Sequence, residues 1–99
     1  MRIELTEVLW FEQHELSLPE LAELSGLPRT VLEELLDCGA ITPLEAGAQA
    51  ATLRFGAAAL RAARAAARLH ADLELGTEAL AVALSLLERI EDLETQLRA

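Results

Sequence analysis

Apolar and polar positions along the chain change their period several times, and each change marks an element. Residues 2–5 alternate, which predicts a short strand, whereas residues 5–14 fit a helix equally well because Ile3, Leu5 and Val8 hold no single period. Trp10 and Phe11 fall in this first segment, and one of them is expected to anchor it on the core. From Ser17 the helical signal sharpens. Ser17 and Glu20 have capping-box spacing, with Pro19 in the first turn. Leu21, Ala22 and Leu24 follow as a short apolar face, which Ser25-Gly26 breaks. Pro28 restarts a helix in which Val31, Leu32, Leu35 and Leu36 recur at helical spacing. Gly39 is placed to cap that helix, and Pro43 prevents its resumption. Two short helices across a glycine turn predict a helix-turn-helix over residues 17–43.

The remainder divides more simply. Residues 44–56 are small and loop-like, and residues 52–55 (Thr-Leu-Arg-Phe) read as a strand closed by Gly56, where a wing would sit. Residues 57–71 form an alanine-rich helix, because alanine has the highest helix propensity and admits close neighbours. A turn at Leu75-Gly76 follows, and Thr77 is placed to cap a last helix running to about residue 97. Within that helix Leu86, Ile90, Leu93 and Leu97 step by 4, 3 and 4, and Ala79 and Ala83 extend the row backwards. Such a row is a coiled-coil seam and predicts a homodimer; packing onto the helix at 57–71 is the alternative. The expected plan is one mainly α domain, with segments 1–16, 17–43, 44–56, 57–75 and 77–98.

Charge adds a second pattern. The chain of 99 residues has a net charge of −9, from 17 acidic and 8 basic side chains, and every basic one is arginine. Residues 1–45 hold ten carboxylates, residues 46–71 hold four arginines (Arg54, Arg61, Arg64, Arg68) and no acid, and residues 72–99 hold seven carboxylates. An anionic protein repels the phosphate backbone at long range and attracts basic partners. On the second helix the positions left outward by the apolar ones are Thr30, Glu33, Glu34 and Asp37. Reading bases takes Arg, Lys, Asn or Gln at that face, so DNA binding is not expected. Glu33, Glu34 and Asp37 suit a basic protein surface instead, and Glu88, Glu91, Asp92 and Glu94 of the last helix form a rival acidic face. Arg61, Arg64 and Arg68 share one side of a helix; ion pairing with the acidic blocks or plain solvation explains them without nucleic acid.

No catalytic constellation, metal site or cofactor motif stands out. The single cysteine, Cys38, excludes an intramolecular disulfide and lies at a helix C-terminus, where the dipole disfavours a thiolate. His14 and His70 have no ligand-spaced companions. Charges interrupt every apolar stretch before the roughly 20 residues of a membrane span, and no basic start leads an apolar run. A non-enzymatic, cytoplasmic binding protein is therefore the expectation.

Residues 21–43, LAELSGLPRTVLEELLDCGAITP, resemble the helix-turn-helix of MerR-type proteins, with Gly39-Ala40-Ile41-Thr42-Pro43 matching its ending and Leu53-Arg54-Phe55 its wing. Residues 68–98, RLHADLELGTEALAVALSLLERIEDLETQLR, are similar to one branch, the chaperone modulator CbpM family. Where that family often has a tryptophan followed by glycine, this chain reads Leu75-Gly76-Thr77-Glu78. The resemblance implies a MerR-like winged helix-turn-helix with a small β element and a long C-terminal dimerisation helix. It further implies binding to the J-domain of a DnaJ/CbpA-type co-chaperone through the basic helix that such domains offer to DnaK, and hence inhibition. His70 matches the family pattern, as a structural or partner-contact residue. A MerR-like DNA-binding regulator is the competing expectation.

Overall fold

The computed structural model describes residues 14–45 and 52–98. The expectations for residues 2–12, the anchoring of Trp10 or Phe11 among them, and for the middle of the wing lie outside these. The described residues form four helices: α1 (Leu18–Ser25), α2 (Arg29–Asp37), α3 (Ala57–Leu73) and α4 (Thr77–Arg98).

The capping box at Ser17 forms in full. The Glu20 amide donates to Ser17 Oγ at 3.3 Å, and the Ser17 amide donates to Glu20 Oε1 at 2.9 Å. Helix α1 buries Leu18 and Leu21, and Gly26 ends it in the left-handed region at φ 78°. Leu24, expected on the apolar face, is exposed, because at roughly 100° per residue it falls to one side of the Leu18–Leu21–Ala22 stripe. Pro28 precedes α2 with no side-chain cap; its fixed φ and its carbonyl, bonded by the Leu32 amide at 3.0 Å, start the helix. Leu32 and Leu35 are buried. The helix ends in a Schellman motif: the Ala40 amide bonds the Leu35 carbonyl at 2.9 Å and the Gly39 amide the Leu36 carbonyl at 3.1 Å. Gly39 takes φ 80°, where a side chain would be strained.

Leu16 and Phe55 exchange both backbone hydrogen bonds at 2.8 Å, as an isolated antiparallel bridge. The strand expected over residues 52–55 is therefore a single bridge among the described residues. The ladder cannot lengthen, because Ser17 turns Leu16 into α1 and Gly56 turns Phe55 into α3. Phe55 is fully buried.

Helix α3 runs two residues beyond its expected end. Its buried face is Ala59, Leu60, Ala63 and Ala66. Glu74 then adopts the left-handed region at φ 54°, a conformation costing about 1–2 kcal/mol for a residue with a Cβ. His70 closes this turn: its Nδ1 lies 2.9 Å from the Leu75 carbonyl, which can only accept, so Nδ1 carries the proton. Thr77, expected to cap α4, does not. Gly76 stands at the start, its carbonyl accepting from the Leu80 amide at 2.9 Å. Thr77 is already helical and so lies past the cap position, and its hydroxyl donates to Glu34 Oε2 on α2.

Helices α1 and α2 pack on each other, α1 packs on α3, and α4 packs on α2 and α3. The core between them is wholly apolar among the described residues, running from Leu16 through Leu21, Leu35, Phe55 and Leu60 to Leu80 and Leu84. No described helix is long and apolar enough to cross a membrane.

Two outcomes follow from this packing. Phe55→Ala is expected to cost about 3–5 kcal/mol, measured by urea denaturation, because the ring is the bulkiest fully buried side chain described in a small core. The Ser17 amide and hydroxyl, with a lesser pull from Arg54, hold the Glu20 carboxyl below the ordinary glutamate range. A depressed folded-state pKa stabilises above the unfolded value, and the contribution is lost as pH falls through the folded one. Ser17→Ala is expected to cost about 1 kcal/mol at neutral pH, to raise the Glu20 midpoint in an NMR titration, and to weaken the acid-side loss of stability.

Candidate functional site

Only the first half of α4 is held by the body of the molecule. Leu80 and Leu84 are buried, and every described residue from Ser85 onward is exposed. The helix therefore overruns its core contacts and stands beside the N-terminal half of α3. Between the two runs a groove of about 1190 Å³. Its α3 wall is made of Ala58, Ala62 and Ala65, with Arg61 at the edge, and its α4 wall of Leu84, Leu87, Glu88, Glu91 and Asp92. The loop at Ile41–Leu44 closes one end, beside His14 and Glu15. The volume exceeds the roughly 300–1,000 Å³ of ordinary small-molecule pockets. Small walls, an apolar floor and an ionic rim suit a side-on macromolecular contact.

The structure separates the two acidic faces read from the sequence. Glu88, Glu91 and Asp92 come together on the groove. Glu33, Glu34 and Asp37 lie exposed on α2 and take no part in it. Two of these three are engaged within the chain: Glu33 Oε1 accepts from Arg29 Nε at 3.1 Å, and Glu34 accepts from Thr77. The first is an exposed i,i+4 pair, worth roughly 0.3–0.5 kcal/mol, so it weakens the charge of that face more than it stabilises the fold.

The seam residues point away from the core. Leu86, Ile90, Leu93 and Leu97 are 59%, 51%, 42% and 87% exposed, and Val82, at 60%, joins them. Ala83, expected as a backward extension, is half-buried, whereas Ala79 is exposed. Several large apolar side chains left in water along one stripe mark an interaction surface. Arg54 and Arg68 are exposed, Arg64 is half-buried, and Arg61 meets the groove edge. Cys38 is exposed, its thiol directed at the Leu35 carbonyl at 3.4 Å.

Sequence reasoning missed the groove floor. Its trace was present as a second stripe on α4, Leu80, Leu84 and Leu87 running into Glu88 and Glu91, overshadowed by the longer seam. The alanines of the opposite wall carry no such signal, because alanine occurs all round α3.

Comparison with known proteins agrees with this architecture. Residues 16–99 match the family model described as MerR HTH family regulatory protein. The chaperone modulatory protein CbpM of Coxiella burnetii strain Dugway 5J108-111 is 34% identical over 83 residues, covering 84% of this chain and 76% of the relative. The protein of the same name from strain RSA 331 / Henzerling II matches to the same extent. The chain belongs to the MerR-type helix-turn-helix family, on the branch of the chaperone modulatory protein CbpM.

Proposed function

We propose that this protein is a chaperone modulator that binds the J-domain of a DnaJ/CbpA-type co-chaperone and inhibits its work with DnaK. The observation that carries the reading is the 34% identity to CbpM across 84% of the chain. The surface chemistry supports it. The exposed acids of α2 and of the groove favour a cationic partner by steering and charge matching. The action is stoichiometric and cytoplasmic, with no cofactor and no bond made or broken.

The protein works as a homodimer joined along Leu86, Ile90, Leu93 and Leu97. Fully burying an exposed leucine or isoleucine contributes about 1.5–3 kcal/mol; these four are 42–87% exposed, so each has about half of that or more to gain, and together they can hold two helices. In sedimentation, Leu86→Glu with Ile90→Glu is expected to halve the mass while Leu80 and Leu84 keep the fold; an unchanged mass would remove the seam from the interface.

A second reading, a DNA-binding regulator, has one observation in its favour: Arg54, Arg61 and Arg68 are exposed at the wing and on α3 in a family described as regulatory. The acids on α2 oppose it, since three carboxylates face the groove that a recognition helix must enter. Mixing the protein with a purified CbpA-type J-domain, and separately with duplex DNA at low salt, distinguishes the two. A J-domain complex and no retained DNA is the expected result. Retention of DNA with a steep salt slope, and no J-domain complex, would reverse the choice.

A further inference from the structure

We propose that the groove between α3 and α4 is covered by the chain's own first segment, with Val8, Leu9, Trp10 and Phe11 seated in it, and that this segment must leave before the groove can take a partner. The regulatory half of the proposal rests on the chaperone-modulator reading; the placement does not. The segment begins where the groove ends. His14 and Glu15 line the closed end, so Phe11 lies three residues and Val8 six residues before the groove wall. At about 3.3 Å per residue, six residues reach about 20 Å. The α3 wall from Ala58 to Ala65 is about 10 Å long at roughly 1.5 Å per residue. The four side chains therefore have the reach to lie along the whole of it.

The fit is one of size and polarity. Ala58, Ala62 and Ala65 leave a broad groove floored by Leu84 and Leu87, and Leu44 at its closed end is 55% exposed. Trp10 and Phe11 bring about 150–250 Å² of surface each, within a run of four residues that carries no charge. Such a run is costly to leave in water, and this apolar surface adjoins it. Charge opposes the contact, since Glu7 and Glu12 flank the run and Glu88, Glu91 and Asp92 edge the groove. The hold is therefore apolar and limited, and salt that screens the acids strengthens it. A cationic partner matches the same rim, so it gains where the segment loses and can displace it. A second copy of the chain brings the same acids without the tether. The region matched by the family begins at residue 16, so this cover lies outside it.

Trp10 is the only tryptophan of the chain and serves as the probe. In the full chain its fluorescence is expected to be shielded from acrylamide relative to an isolated peptide of residues 1–13, and more so as sodium chloride is raised. Ala62→Phe, which fills the groove, and Leu87→Gln, which makes its floor polar, should each expose the ring with circular dichroism unchanged. By calorimetry, the chain lacking residues 1–13 should bind a purified CbpA-type J-domain about threefold or more tighter than the full chain, because affinity scales with the fraction of chains whose site is open. Trp10 as exposed as in the peptide would overturn the proposal, as would shielding that survives both variants, which places the ring elsewhere on the core. Shielding lost on dilution together with the dimer mass would assign the groove to the first segment of a second copy. Equal J-domain affinities would mean that no cover has to leave. Either result overturns the proposal. If neither chain binds the J-domain, the modulator reading falls and the displacement with it, while shielding that both variants abolish still fixes the segment in the groove.

Discussion

Ala59, Ala63 and Ala66 lie along one side of α3 beside Leu60, all buried, and α1 and α4 both close on this helix. Small side chains set how near the neighbouring axes can come, within the 8–10 Å typical of packed helices. With so little volume contributed by α3, the large residues must come from elsewhere. Phe55, fixed by its bridge to Leu16, is the bulkiest side chain of that core, which it shares with leucines of α1, α2 and α4. The rest of the structure depends on this contact. It holds α4 to the body through Leu80 and Leu84 and lets the remainder of that helix run free.

The free run is where interaction chemistry collects. One helix carries an apolar seam on one side and an acid-rimmed groove wall on another, and neither is consumed by the fold. A small domain has little stability to spare, and this one keeps its binding surfaces off its core. No polar or charged residue is buried among the described residues, so no side-chain hydrogen-bond network in the core is exposed to disruption when a partner docks.

The acidic second helix takes a more limited part than its composition implied. Glu33 is partly neutralised by Arg29 and Glu34 is tied to Thr77, so a face that reads as three free carboxylates is in part a local ion pair and in part a clasp between α2 and α4. Those acids still stand against phosphate recognition. They lend less support to a protein contact than Glu88, Glu91 and Asp92, which sit beside apolar surface, where desolvation and charge matching act together.

Features that depend on residues within one or two helical turns were determined by the sequence itself. The Ser17–Glu20 capping box, the glycine ends at Gly26 and Gly39, the alanine helix and the 4-3-4 seam of α4 all follow from local spacing, since their partners lie three to five residues away. The family was also legible, in residues 21–43 and 68–98. Contacts between distant residues were decided only by the tertiary structure. The Leu16–Phe55 bridge joins two residues that turn at once into helices, so no strand-length pattern announces it. The Glu34–Thr77 hydrogen bond spans 43 residues and ties α2 to α4, a contact that local spacing does not announce. The groove arises because α4 overruns α3, which no periodicity along a single helix can express: its walls are faces of two elements, and only their packing brings those faces together.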